Sequence, residues 1–226
     1  MNRTVLITGG SSGLGAAVVA AVTKESDVPV VLDRVPPAAG VDHELVDLAD
    51  TVATAAAVAE LSRRSGGIDA VVTAAGIDRC GRLVDVPADE WEQVIRVNLL
   101  GTAAVVRAAL PDLVDRHGRV VTVASTLGLR ALPDASAYCA SKFGVVGFTR
   151  ALATEMSGLV DVSLLVPGGM RTPFFDGRDP QYQPGPDAML NEPEDVADAV
   201  VTILRQPNGC VVRELIITPS LEPSWP

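Results

Sequence analysis

The stretch TGGSSGLG, residues 8–15, decides how the rest of the chain is read. Gly9-Gly10-Ser11-Ser12-Gly13 has the Gly-x-Ser-x-Gly form of a nucleophile elbow, which would make Ser11 the nucleophile of a serine hydrolase. Gly9, Gly13 and Gly15 also have the spacing of a turn whose backbone cradles a dinucleotide's phosphates. Both motifs need a strand before them and a helix after them. The flanks supply both: TVLIT (4–8) is a β-branched apolar run, and residues 13–24 are rich in alanine and valine. An elbow serine also needs a histidine base, usually late in the chain. The two histidines here, His43 and His117, sit in polar surroundings, and none follows residue 117. The phosphate-binding reading is therefore favoured.

The next strand supports it. PVVLD (29–33) ends on Asp33, about twenty residues beyond the glycines, where a carboxylate accepts hydrogen bonds from an adenosine ribose. A 2′-phosphate beside that carboxylate would meet repulsion of roughly 1 kcal/mol per charge pair at ~4 Å in water, and about 4 at an effective dielectric near 20. NAD is thus expected over NADP. Arg34 is the counterweight, because a guanidinium pairs well with phosphate.

Outward from this unit, apolar runs alternate with helical stretches. HELVD (43–47), IDAVVTA (68–74), GRVVTVAS (118–125), VDVSLLV (160–166) and ELIIT (214–218) read as strands. Helices are expected over 50–64, from about Asp89, over 136–156 and over 193–206. This pattern predicts an α/β fold, a single-domain, Rossmann-like doubly wound parallel sheet of seven strands with helices on both faces. The connection RVPPAAGVD (34–42) holds two prolines and a glycine, so the helix between strands two and three is expected to be reduced or absent. The proline-rich tail, residues 219–226, is expected to be extended.

At 226 residues and 48% hydrophobic content the chain suits one globular domain. Its formal charge of −10 argues against gripping nucleic acid or an anionic membrane. No run reaches 18 apolar residues, so no membrane span is expected. Cys80, Cys139 and Cys210 lie far apart with no CxxC, which suggests reduced thiols, a cytoplasmic location and no metal site.

YCASK places Tyr138 and Lys142 four apart, on one helix face and about 6 Å apart along the axis. An ammonium there is expected to stabilise tyrosinate and lower the phenol's pKa, making it a general acid or base. Ser125 ends a strand at the sheet edge where such folds bind ligands. Asn98 falls on the apolar stripe of Trp91, Ile95, Thr102 and Val105 or Val106, either as a satisfied core amide or in a kinked helix holding a water near the lysine.

With these residues together, the sequence resembles the short-chain dehydrogenase/reductase family over nearly its whole length. Thr-Gly-x-x-x-Gly-x-Gly at 8–15 is similar to the motif of the simpler oxidoreductase subgroup. The resemblance implies a catalytic set of Asn98, Ser125, Tyr138 and Lys142. It implies coenzyme contacts at Gly9, Ser11, Ser12, Gly13, Leu14, Gly15, Asp33, Arg34, Asp47, Leu48, Ala74, Ala75 and Gly76. Tyr138, Lys142, Pro167, Gly168, Met170 and Thr172 complete the implied coenzyme site, in which Asp47 meets the adenine ring and Thr172 the carboxamide. The family's Asn-Asn-Ala-Gly is Thr73-Ala74-Ala75-Gly76 here, which removes two amides.

The expected reaction is hydride transfer between NAD(H) and a small secondary alcohol or ketone. Residues 172–191 would form a short lid, and Leu127, Leu129, Met170, Phe174, Phe175 and Met189 an apolar pocket wall. Arg82, Arg130 and Arg178 are candidates for an acidic group, and Trp225 for docking locally or on a neighbouring subunit. The resemblance implies a homotetramer or homodimer, and Ala140, Gly144, Gly147 and Ala151 would let another helix approach closely. The alternative to an enzyme is a non-catalytic NAD-binding sensor or assembly module.

Overall fold

The computed structural model describes residues 2–225. Seven parallel strands form one sheet in the order β3-β2-β1-β4-β5-β6-β7. They are β1 (Thr4–Thr8), β2 (Val28–Asp33), β3 (Asp42–Leu45), β4 (Ala70–Thr73), β5 (Arg119–Val123), β6 (Asp161–Pro167) and β7 (Glu214–Ile217). The central strands β1, β4 and β5 are buried throughout, which is why they read as unbroken apolar runs. The strand order reverses between β1 and β4, leaving a crevice at the carboxyl ends of the strands.

Helices cover both faces. On one, α1 (Gly13–Lys24) and α6 (Pro193–Leu204) bury Val18, Val22, Val196 and Val200 against Ile7, Val31 and Val72. On the other lie α2 (Thr51–Ser65), a rod from α3 (Ala88–Ile95) to α4 (Thr102–Arg116), and α5 (Ser136–Glu155). There Val58, Leu61, Val105, Leu113 and Leu152 pack on Leu6, Val71 and Val120.

The β2–β3 connection has no helix, as its prolines predicted. The edge strand is fastened from α2 instead. Arg64 pairs with Asp42 at 2.7 Å and with Glu44, and it donates to the His43 carbonyl. The His43 ring bonds the Val41 carbonyl, and His117 caps α4 in a left-handed conformation.

The rod of residues 88–116 is, by length and composition, apolar enough to cross a membrane, which counting uninterrupted apolar residues did not register. Its buried positions, Val94, Val97, Val105, Val106, Ala109 and Leu113, instead face the protein core. The sequence stripe had placed Trp91 and Ile95 inside, but both are only half-buried. Between α3 and α4, residues Arg96–Gly101 form a π-helical segment, the kink that Asn98 had hinted at.

Candidate active site

The crevice begins at the glycine loop. A Cβ on Gly15 would lie 2.0 Å from the Gly9 carbonyl oxygen, so only glycine lets α1 start this close to β1. Gly9 takes a positive φ of 71° and passes so near Ala75 that a Cβ would meet its Cα at 2.9 Å. Ser12 opens α1 in an extended conformation, and its side chain caps none of the first N–H groups. Those donors and the helix dipole are the features a pyrophosphate needs.

Asp33 stands next to this loop. Its carboxylate accepts from the Ser11 N–H at 3.0 Å, the Arg34 N–H at 2.6 Å and the Val35 N–H at 3.4 Å. The Ser11 hydroxyl donates to the Val35 carbonyl at 2.7 Å. Ser11 is thus a loop residue with no histidine beside it, and the hydrolase reading is withdrawn. The Arg34 side chain is exposed. Asp47 is exposed and accepts the Ala49 N–H at 2.9 Å, while Leu48 is buried against Gly101. Thr8 Oγ1 accepts the Ala75 N–H at 3.0 Å and braces the Ala74–Gly76 turn that lacks the family's amides. The hydroxyl of Thr73 is buried without a partner.

At the far side of the crevice, Asn98 is fully engaged. Its Nδ2 donates to the Ile77 carbonyl at 2.9 Å and to Ser141 Oγ at 3.0 Å, and its Oδ1 accepts the Ile77 N–H at 2.8 Å. Ser141 Oγ passes its proton to the Tyr138 carbonyl at 2.8 Å. Asn98 thereby ties the loop after β4 to α5. Its side-chain amide is thus the satisfied core amide that the sequence allowed, set in the π-helical segment of the rod, and it acts as a clamp.

Lys142 is 4% exposed and donates to the Val123 carbonyl at 2.9 Å. Its Nζ lies 5.6 Å from the centre of the Tyr138 ring, so the two side chains share a face as the spacing required. The titration behaviour departs from expectation. Burial pushes the Tyr138 phenol upward from its ordinary value; the nearby Ser125 hydroxyl pulls it partly back, and Asp78 raises it further. Burial also lowers the Lys142 ammonium to about 8. Desolvation disfavours the charged form of each group and is the largest cause of both shifts. Ser125, two residues beyond β5, accepts the Leu127 N–H at 3.2 Å and starts a short 3₁₀ turn.

The 172–191 segment runs through two 3₁₀ turns, Pro173–Phe175 and Pro180–Tyr182. Thr172 touches the glycine loop: a Cβ on Gly13 would sit 3.3 Å from its Cβ. The Phe174 ring lies 5.5 Å from that of Tyr138. The Arg178 guanidinium packs over Phe174 and Phe175 at 4.5 and 4.7 Å and pairs with Asp78 at 3.3 Å. Asp78 follows the clamped Ile77, so the 172–191 segment, the loop after β4 and the tyrosine form one connected cluster. Burial and Asp78 hold the Cys80 thiol up at about 11, which leaves it unreactive.

Other expected pocket residues lie elsewhere. Met189 is half exposed, and Arg82 is a surface residue near Asp85. Leu129 and Arg130 line a recess with Arg150, Glu214, Ile216 and Trp225. No cluster of metal-ligating side chains occurs among the described residues. Sequence reasoning missed Ile77, Asp78 and Ser141, whose importance comes from partners 21 to 100 residues away.

A glycine-cradled helix start and a Ser-Tyr-Lys cluster at one sheet edge define a dinucleotide-dependent oxidoreductase, and the comparisons agree. The family model described as short chain dehydrogenase matches residues 3–183, and the chain belongs to that short-chain dehydrogenase/reductase family. Its members use a nicotinamide coenzyme and act on hydroxyl or keto groups of small molecules. The chain is 32% identical over 200 residues to D-beta-hydroxybutyrate dehydrogenase of Rhizobium meliloti (strain 1021), covering 80% of this chain and 76% of the relative. It is 35% identical over 187 residues to the 2-dehydro-3-deoxy-L-rhamnonate dehydrogenase (NAD(+)) of Sphingomonas sp. (strain SKA58), covering 77% and 74%. The ligand-free aldohexose dehydrogenase of Thermoplasma acidophilum superposes with a TM-score of 0.86 at 25% identity, covering 96% of this chain and 92% of that one.

Proposed function

We propose that this protein interconverts a secondary alcohol and a ketone using NAD(H), with Tyr138 moving the proton. The observation that carries the reading is the cluster of Ser125, Tyr138 and Lys142 facing the crevice whose other wall is the uncapped start of α1. When bound, the nicotinamide ring supplies or accepts the hydride. Ser125 orients the substrate oxygen, and Tyr138 gives that oxygen its proton in reduction or removes it in oxidation. A phenol raised by burial is protonated at neutral pH, which suits reduction there and makes oxidation faster as the medium becomes alkaline. Lys142, anchored on the Val123 carbonyl, supplies positive charge beneath the ring and a donor for the coenzyme's ribose. Asn98 positions Ile77 and α5 rather than touching the reacting atoms.

The fixed carboxylate of Asp33 supports NAD over NADP, and the NAD(+) in the name of the Sphingomonas relative agrees. The segment 172–191 acts as the substrate lid, latched by Arg178 on Asp78. An exposed α5 face of Ala140, Phe143, Gly147 and Ala151 supports assembly into dimers or tetramers, and three free cysteines support a cytoplasmic location.

The test follows absorbance of the reduced coenzyme with NADH or NADPH against a ketone panel. Keto acids come first, since the Rhizobium and Sphingomonas relatives are named for acids. Turnover with NADH preferred over NADPH is expected. Tight coenzyme binding without turnover of any ketone or alcohol would refute the catalytic reading.

A further inference from the structure

Residues 222–225 fold back onto the loops after β5 and β6, where an extended tail over 219–226 had been expected; Pro226 lies outside the described residues. Glu222 Oε2 accepts the Gly169 N–H at 2.8 Å. Glu222 Oε1 accepts the Ser224 N–H at 3.0 Å and the Ser224 hydroxyl at 2.6 Å. Ser224 Oγ lies 2.7 Å from Thr126 Oγ1, and both residues are buried. The single Ser224 hydroxyl proton goes to the carboxylate, so Thr126 donates to Ser224. One carboxylate therefore connects Gly169 to Thr126 through a continuous chain of hydrogen bonds.

The two ends of that chain matter. Thr126 directly follows Ser125, and Gly169 lies in the turn leading from β6 to Thr172. The ladder between β5 and β6 ends at the bond from the Ala124 N–H to the Leu165 carbonyl, 2.8 Å. Past that rung the tail's hydrogen bonds link the two loops. Gly168 is shaped for this contact: a Cβ there would sit 2.3 Å from Glu222 Oε2. Bonds to an ionised carboxylate are among the stronger hydrogen bonds, and Glu222 spends its oxygens on backbone and hydroxyl donors rather than on a surface cation.

We infer that Glu222 is a positioning residue that sets the separation between the Ser125 hydroxyl and the turn at 167–172. The inference rests on the proposed roles of Ser125 and that turn. A misplacement of about 1 Å between reacting groups costs up to about a hundredfold in rate, so a brace between the two loops acts on kcat more than on affinity.

The test uses Glu222→Ala, Glu222→Gln and Ser224→Ala in the full chain. Amide exchange is followed by mass spectrometry without coenzyme, and steady-state kinetics with it. In Glu222→Ala the Gly169 amide exchanges about tenfold faster or more and peptide 124–129 loses protection, while the Tm of the whole protein changes little. Its kcat falls about tenfold with the ketone KM changed less than about twofold. Glu222→Gln keeps the Gly169 protection, because its amide oxygen accepts the same N–H, but its NH2 cannot accept from the Ser224 N–H, so peptide 124–129 stays less protected and kcat recovers only in part. Unchanged exchange at Gly169, or a kcat within about twofold of the parent, overturns the inference. If Glu222→Ala does not fold, Ser224→Ala decides. Faster exchange confined to 124–129 with a partial loss of kcat supports the brace, and no change in either overturns it. Tyr138→Phe separates the two layers: if it keeps full turnover the catalytic reading fails, while the exchange results still judge the brace.

Discussion

Replacing Lys142 with methionine tests the energetics of the site without coenzyme or substrate. Burial brings the Lys142 pKa from 10.5 to about 8. The folded value lies below the unfolded one, so the unfolded chain holds the proton more tightly. The resulting penalty is fully present below about pH 8 and vanishes as pH rises to about 10.5. A shift of 10.5 − 8, about 2.5 units, corresponds to about 3 kcal/mol. Integrating the two titrations, about 2 kcal/mol of that penalty is relieved between about pH 7 and about pH 9.5. Methionine fills a similar volume and carries no charge, so Lys142→Met lacks the penalty at every pH. It also loses the 2.9 Å bond to the Val123 carbonyl, a cost that does not depend on pH because neutral lysine still donates. The Cys80 thiol, raised to about 11, costs stability as pH rises through its ordinary value, but equally in both proteins. Urea unfolding of parent and variant at both pH values therefore gives a difference that moves by about 2 kcal/mol in the parent's favour as pH rises. A difference that stays constant within about 0.5 kcal/mol would refute the buried-ammonium account.

Further outcomes follow from individual contacts. Asn98→Ala removes three hydrogen bonds and leaves both Ile77 backbone groups unpaired, so urea unfolding should show about 2–4 kcal/mol of lost stability. Arg178→Ala strips the partner from a nearly buried Asp78; amide exchange over 172–191 should accelerate and substrate KM should rise more than kcat falls. A double-mutant cycle with Asp78→Asn should show a coupling above about 1 kcal/mol. Asp33→Ala removes the carboxylate that opposes a 2′-phosphate, so the NADPH-to-NADH ratio of kcat/KM should rise about tenfold or more.

The β-branched runs made the strands legible because burial on both faces leaves no alternation to decode. The missing crossover helix was equally legible, since Pro36, Pro37 and Gly40 cannot sustain one. The helical spacing of Tyr138 and Lys142 showed that they would meet, but spacing carries no information on desolvation, and the sign of the phenol's shift came out reversed. Asn98 stood out as an amide on an apolar stripe, yet its partner Ile77 lies 21 residues earlier and is held through backbone atoms that any side chain would offer. The tail was opaque for a similar reason. SLEPSWP has no periodicity, and Glu222 acquires a role only because Gly169 and Thr126, each about fifty to a hundred residues upstream, come together at the sheet edge.

The central claim is that the Tyr138 hydroxyl carries the proton in a hydride-transfer reaction. Tyr138→Phe keeps the ring against Phe174 and removes only that oxygen. Single-turnover ketone reduction with saturating NADH, alongside a fluorescence titration of coenzyme binding, measures the effect directly. The account predicts a rate lower by about a hundredfold to ten-thousandfold with coenzyme affinity nearly unchanged. A variant that turns over at close to the parent rate would contradict it.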